Sequence, residues 1–437
     1  MKKILLVGVV VILVAAAVAG LIYWKSRPQV VVLKNGTKLT FLGSSYGKHH
    51  SFKGLKSTGS RTRGRLTLDT TNDTLVVWIE AEYKQNQWPN YQLLISDPDN
   101  TSCVGAWQST GNQIKNGVNV EGFTINAFPR RDSKMILRVG AWGNQGGMQI
   151  AKDKFVVANP GPRSFPEWHP DPLPNTQSDG DLDVTLTKCS FGGSEGFMFG
   201  SQNMSPKDPA RKAVSVTLHT EQDGNVVTNW QPVQIITSDA TGNSIGNNGW
   251  SNSRDGNGDA TMSYQWGLWP EEKAWKLRVE MSRIAGFTNS EEWSITNVPV
   301  QKGDWNTLWN YNNNNMGQNR HSDSPVAEAT LNGIHLKIYP AIRMGQDFGN
   351  NQTMGGFHIV AEPDLPPGYR MSLVEADNEQ GRKLETYGFG PNGNGNGNYV
   401  FQMPNIRNAK ALNLTIAVHP SRFVEFTVKP DLKSGEN

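Results

Sequence analysis

Three stretches of this sequence alternate apolar and polar residues in the same way and recur at nearly equal intervals. They are Met135-Ile136-Leu137-Arg138-Val139, AWKLRVEMS at 274–282, and Leu412-Asn413-Leu414-Thr415-Ile416. In the second, Trp275, Leu277, Val279 and Met281 alternate with Lys276, Arg278 and Glu280. Side chains on a strand point to opposite faces with period two, so the pattern predicts a strand with one dry and one wet face. Leu137 and Leu277 are 140 positions apart, and Leu277 and Leu414 are 137 apart.

Other landmarks keep the same order and period. Ile79-Glu80-Ala81-Glu82 matches Leu218-His219-Thr220-Glu221 and Ile359-Val360-Ala361-Glu362. An aromatic follows each (Tyr91, Trp230, Tyr369), then an aspartate in a turn-rich stretch (Asp97, Asp239, Asp377). Phe128-Pro129, Trp269-Pro270 and Met403-Pro404 precede the alternating strands. Each copy closes on an aromatic-led strand: Phe155-Val156-Val157, Trp293-Ser294-Ile295 or Phe426-Thr427-Val428. A solenoid or propeller unit is about 20–50 residues long, so this period is that of a whole domain. The expected organisation is a segment at 1–27, domains at 28–163, 178–303 and 326–432, a Pro-rich linker at 164–177 and an Asn-rich one at 304–325.

The 45 glycines, 24 prolines and frequent Asn-Gly and Asp-Gly pairs predict many turns and short strands. No stretch beyond the first 27 residues shows a sustained helical period with capping signals. The chain therefore reads as mainly β, an N-terminal transmembrane helix followed by three tandem antiparallel β-sandwiches. In strand number, size and tandem arrangement the repeats resemble immunoglobulin-like or fibronectin-type-III-like domains of bacterial membrane-anchored envelope proteins. The Cys…Trp…Cys signature of true immunoglobulin domains is absent.

Residues 4–24 form an uncharged, mostly apolar run between Lys2-Lys3 and Lys25. At about 1.5 Å per helical residue it spans a hydrocarbon core of about 30 Å. Tyr23 and Trp24 fall where aromatics favour the interface. The run reads as an uncleaved signal-anchor with the N-terminus in the cytoplasm and the bulk of the chain outside. The rival reading is a signal peptide cut after Ala17-Val18-Ala19. Residues 1–27 hold four of the 42 basic residues and no acidic one, leaving 38 basic against 39 acidic. Nucleic-acid binding, which needs a concentrated basic face, is not expected.

Cys103 and Cys189 are the only cysteines. In an extracytoplasmic compartment they either bridge two domains or stand as separate buried thiols. Gly192-Gly193-Ser194-Glu195-Gly196 matches the nucleophile elbow G-x-S-x-G, but two glycines and a proline follow where a helix should begin. Ser194 is therefore expected in a Gly-rich loop, with a serine hydrolase as the lesser reading. The eight histidines form no metal-ligand pattern. Asp255-Gly256-Asn257-Gly258-Asp259 opens like a calcium loop and then fails at Ala260 and Trp266. Asp179, Asp181 and Asp183 alternate at the linker junction, and the recurring Glu82, Glu221 and Glu362 are expected on outward faces at strand ends.

Fourteen tryptophans occur, several in polar, loop-like settings. Exposed rings stack on sugar faces and anchor protein interfaces. Trp142 and Trp250 are the candidate ligand-binding residues. No catalytic set, metal or cofactor is expected. The expectation is a non-catalytic envelope protein whose modules bind, adhere or space a partner, the alternative being a polysaccharide binder that uses its loop tryptophans.

Overall fold

The structure, a computed structural model, describes residues 29–432 apart from 53–65, 84–90, 116–117, 143–147, 162–163, 194–211, 248–250, 255–256, 304–323, 348–352, 385–391, 394–396, 404–405 and 407–408. The described residues are mainly β, in several sheets. None of them forms a helix long and apolar enough to cross a membrane, and the run at 4–24 lies outside them.

The first repeat contributes β1 (Val30–Val32), β2 (Lys38–Phe52), β3 (Leu66–Glu82), β4 (Tyr91–Ser96), β5 (Cys103–Lys115), β6 (Val118–Ile125), β7 (Lys134–Trp142), β8 (Met148–Ile150) and β9 (Phe155–Ala158). The second contributes β10 (Asn175–Asp179), β11 (Leu182–Gly193), β12 (Ala213–Gln222), β13 (Asn225–Val226), β14 (Trp230–Asp239), β15 (Ser244–Asn247), β16 (Ser251–Arg254), β17 (Asp259–Gln265) and β18 (Trp275–Arg283). Then come β19 (Glu292–Gly303), β20 (Ala327–Leu331), β21 (Ile334–Ile338), β22 (Ala341–Asp347), β23 (Thr353–Glu362), β24 (Tyr369–Asn378), β25 (Asn392–Gly393), β26 (Asn398–Met403) and β27 (Ala411–Pro420). The last two strands are β28 (Arg422–Val428) and β29 (Asp431–Leu432).

The landmarks fall at equivalent places. Tyr91, Trp230 and Tyr369 open β4, β14 and β24, and the alternating stretches are β7, β18 and β27. The first repeat forms one path, β1-β2-β3-β6-β5-β4-β7-β8, with β9 on β7. Strand β5 serves both ends of it: Cys103–Ala106 pairs with β4, and Trp107 onward pairs with β6. The second repeat splits into β10-β11-β12-β17-β16 and β15-β14-β18-β28, and the third follows β20-β21-β23-β22-β19-β27-β24. Strand pairing is antiparallel apart from two short parallel junctions, β11 with β29 and β19 with β22.

The closing strands depart from chain order. In the first repeat β9 returns to β7, setting Phe155 opposite Leu137. In the second, the strand opposite Leu277 is β28, from the end of the chain, with Phe426 in the matching register. Strand β19, which follows β18 in sequence, instead pairs with β27 and sets Ile295 opposite Leu414. The second and third repeats thus exchange their closing strands. Domains bounded at 178–303 and 326–432 describe the chain order; each core is completed across that boundary.

A short joint explains the departure. One residue, Ser421, separates β27 from β28, whereas reversal into an antiparallel hairpin ordinarily takes a two-residue turn. Pro420 is still paired with Tyr369 when Arg422 is already paired with Met281, so the chain passes from one sheet straight into the next. By contrast, twelve residues separate β7 from β9, ample for return.

Burial follows the alternation on the inward faces. Trp275, Leu277, Val279 and Met281 are buried beside Val424, Phe426 and Val428 in one core with Val184, Leu186, Val216 and Leu218. The wet face of β18 is only partly wet. Arg278 is exposed, but Glu280 is 7% exposed because the third repeat covers it. In the third repeat, Ile295 and Val298 of β19 join Ile338, Phe357, Leu414 and Ile416 in a separate core.

Every covalent tie between residues 29–303 and 324–432 runs through 304–323, yet each part holds a strand of the other's core. Cutting an inserted protease site within 304–323 should leave the two parts together. Gel filtration in native buffer should elute both fragments in one peak, separating only in denaturant; two native peaks would refute the exchange.

Candidate functional site

A buried polar arrangement lies where strands change repeats. Glu280 projects from β18 towards the third repeat. Arg370 of β24 donates to it twice, Nε to Oε1 at 2.7 Å and Nη2 to Oε2 at 2.6 Å. The hydroxyl of Ser421, the joint residue, donates to Oε1 at 2.7 Å. Burial pushes the Glu280 carboxyl up, but the bonds from Arg370 and Ser421 outweigh it and hold the group below its ordinary value. A bidentate guanidinium fixes orientation as well as charge.

A second pair sits beside it. Arg283, at the end of β18, donates to Glu291, just before β19, and stacks over Phe287 and Trp230. Glu291 also accepts the Thr288 backbone N–H at 2.9 Å, and its backbone carbonyl accepts Val418 N–H at 2.9 Å. Against a burial effect of the opposite sign, these donors hold the Glu291 carboxyl below its ordinary value. His419 of β27 is buried against Phe287, with ring centroids 4.8 Å apart. Its Nδ1 faces the Pro420 carbonyl at 3.2 Å, which can only accept, so Nδ1 donates and Nε2 accepts from Ser372 Oγ at 3.1 Å. Burial first, and the Arg283 charge besides, push the imidazole pKa down.

A different seam joins the first two repeats, and its contacts are reciprocal. Asp239 caps its own turn by accepting from Thr241 and Asn243 N–H groups, and Asn243 then bonds both Phe128 N–H and C=O, at 3.1 and 3.0 Å. In the other direction Asp97 caps Thr101 and Ser102, and Ser102 donates to the Gly267 carbonyl at 2.7 Å. Phe128-Pro129-Arg130-Arg131 and Trp269-Pro270-Glu271-Glu272 occupy equivalent places, and Arg131 bonds the buried Glu272 at 2.7 and 3.1 Å. Trp266 lies over Gly105, where a Cβ would stand 3.0 Å from the indole and 2.7 Å from Gln92. A bulky residue with φ of +67° is strained, and here the strained residue is part of the seam. Nearby, the Glu271 carboxyl is pushed up to about 7, first by the surrounding protein and then by the Asp97 and Asp132 charges.

Several of the residues singled out from sequence lie outside the described residues. Trp142 is the last residue of β7, its backbone paired with Met148, while its side chain lies outside the described residues. Trp250 and Ser194 are also outside them. Strand β11 ends at Gly193 opposite Ala213 of antiparallel β12, so Ser194 heads a connection between antiparallel strands, whereas an elbow tops a parallel sheet. Cys103 and Cys189 are both buried thiols with no disulfide between them. Cys103 packs with Leu94 and Trp266; burial and the Asp431 charge push the Cys189 thiol up to about 12, leaving it inert.

Asp259, in the calcium-like stretch, accepts from His219 Nδ1 at 2.7 Å, with Glu221 3.4 Å from Nε2. Both ring nitrogens face carboxylates, and the imidazole pKa rises, chiefly through the Asp259 bond. The alternating aspartates meet a guanidinium: Arg422 lies 3.4 Å from both Asp179 and Asp181, and Asp179 also accepts Phe423 N–H at 2.9 Å. Glu82 and Glu362 pair with Lys38 and Lys337 across strand ends. No group of three metal-ligating side chains occurs among the described residues.

No protein-family model matches this chain, and no curated protein matches it either.

Replacing Arg370 with Leu would leave Glu280 buried without its partner, a change worth about 3–5 kcal/mol of destabilisation. Chemical denaturation should show it for the second and third repeats together; loss confined to the third would contradict the interlock. Acid should weaken the seam in two stages. His419, with a depressed value, contributes in full above its unfolded value of about 6.5 and loses that contribution as pH falls below it. Glu280 and Glu291, also depressed, contribute above the ordinary carboxylate range and lose it as pH falls through their folded values. Glu271, raised to about 7, gives the whole chain an opposing response, so the seam is read by difference: the gap in melting temperature between the unmodified chain and Glu280→Gln should close as pH falls through the carboxylate range. A gap that does not change with pH would count against the assignment.

Proposed function

We propose that this chain is a non-catalytic protein of the cell envelope, held by one membrane helix over residues 4–24, with three immunoglobulin-like β-sandwich repeats outside the cytoplasm. The repeats act as one stiff scaffold that displays a binding surface or spaces a partner from the membrane. The supporting observation is the exchange of closing strands between the second and third repeats, backed by the reciprocal seam between the first and second. Domains on loose linkers need no such seams, whereas a spacer of defined geometry does. The buried Glu280 fits this reading, because Arg370 and Ser421 take it up across the joint.

A second reading, polysaccharide binding, draws on Trp142 and Trp250, since aromatic rings can stack on sugar faces.

In cells, the full chain with a C-terminal epitope should stay with carbonate-washed membranes and lose the epitope to protease added from the extracytoplasmic side. Deleting residues 4–24 should abolish both behaviours. An epitope found in the soluble cytoplasmic fraction would end the proposal. On a glycan array, binding lost in Trp142→Ala and Trp250→Ala would favour the polysaccharide reading, and an empty array would remove it.

A further inference from the structure

In the first repeat the hairpin of β2 and β3 is folded back on itself. Leu66 and Trp78 belong to one strand, twelve positions apart, a separation of about 40 Å in straight β structure. Yet they share a small apolar cluster with Val76 and Val120, against which Leu42, Phe52 and Leu68 pack, and the rings of Phe52 and Trp78 are 5.8 Å apart. The bend lies between the pairs Gly47–Thr74 and His49–Asp69, where residues 70–73 stand opposite Lys48 alone. Gly47 takes a φ of +137°, which a side chain would oppose. Beyond the bend, residues 48–52 and 66–69 form an arm laid over the outer face of β3 and β6. The opposite face of β3, with Leu75, Val77 and Ile79, closes the main core.

One polar side chain lies on the inner side of this arm. His50 pairs with Leu68 and Phe52 with Leu66, so all four point the same way. His50 is 2% exposed, whereas its neighbours His49 and Ser51 are exposed. Its Nδ1 lies 2.8 Å from the Ser45 hydroxyl on the near side of the bend, so the ring ties the arm to the sheet. Its Nε2 is buried and meets no hydrogen-bond partner. The charged groups beside it are Asp69 and His49, themselves 2.9 Å apart on the arm. On the sheet beneath, Ser45 and its partner Val76 are uncharged, and Glu80 is the next charged residue along that face of β3.

A neutral imidazole suits this place. A second ring proton would set a charge between two apolar surfaces, with an N–H on Nε2 that has no acceptor. Burial accordingly pushes the His50 pKa down, with the Gly47 carbonyl and the Asp69 charge pulling the other way. A lowered group stabilises the closed form fully above its free value of about 6.5 and loses that contribution as pH falls through the folded value.

We infer that His50 is a proton-sensitive latch, which holds the arm on the sheet while its ring is neutral and releases it when the ring takes up a proton. Release uncovers Val76, Trp78 and Val120 on the sheet, and Phe52, Leu66 and Leu68 on the arm, while the main core stays closed.

Hydroxyl-radical footprinting of the full chain, read by mass spectrometry, tests this between pH 7.5 and 5.5. Trp78, 2% exposed, reports the arm; Trp275, wholly buried in the second repeat, reports global unfolding. Oxidation of Trp78 should rise several-fold on acidification while that of Trp275 stays constant. In His50→Gln, which cannot take up a proton, Trp78 should be oxidised equally at both pH values, and in His50→Arg it should already be oxidised at pH 7.5. His49→Gln should keep the response of the unmodified chain. A Trp78 signal that ignores pH in the unmodified chain would overturn the inference. So would a rise that Trp275 shares, or one that survives in His50→Gln or disappears in His49→Gln.

Discussion

The arrangement of the second and third repeats depends on a single-residue joint. Ser421 lies between two strands that are both fully paired, and one residue cannot reverse a chain between antiparallel neighbours. Strand β28 must therefore leave the sheet that holds β27, and its apolar side, Val424, Phe426 and Val428, needs another core. The vacancy beside β18 accepts it because β19 has gone the other way. The polar groups follow from the crossing: Glu280 would be an ordinary surface carboxylate on β18 if the third repeat were not laid over it, and Ser421 binds it because the joint passes there. Two half-buried charged pairs at one crossing cost desolvation that well-placed donors offset, as the bidentate Arg370 contact does for Glu280.

The first seam is built on a different principle. There, equivalent segments of two copies face each other, as the two halves of a symmetric dimer do. With identical copies Arg131 would confront another arginine; in this chain the equivalent position is Glu272, and repulsion becomes an ion pair. The third copy has Ile406 at the corresponding place after Met403-Pro404, buried in its own core, so it cannot take either role. Duplicated segments that have diverged in charge specify which repeat is adjacent to which.

Much of this was legible in the amino-acid pattern. The alternation in AWKLRVEMS placed Trp275, Leu277, Val279 and Met281 inward, and the recurring aromatics Tyr91, Trp230 and Tyr369 each open a strand. The aspartates that recur after them, Asp97 and Asp239, cap turns for the reason their side chains favour turns at all. Partnership was not legible. Phe426-Thr427-Val428 has the alternation that fits β27 or β18 equally well, since pattern fixes a strand's faces and not its neighbour. A signal did exist: the step from the central leucine to the closing aromatic shrinks from 18 positions after Leu137 to 16 after Leu277 and 12 after Leu414. Glu280 was misplaced on a wet face because its cover comes from a distant repeat. Trp142 and Trp250 stand out by their polar neighbours alone, and the Trp142 side chain and all of Trp250 lie outside the described residues.

The last described strands, β28 and β29, lie in the second repeat, beside β18 and β11, although the third repeat precedes them in sequence. Tension applied between the two ends would pass from β28 into β18 through seven paired residues and on to the first repeat. The third repeat stands aside from that path, sheltered for as long as the β28 ladder holds.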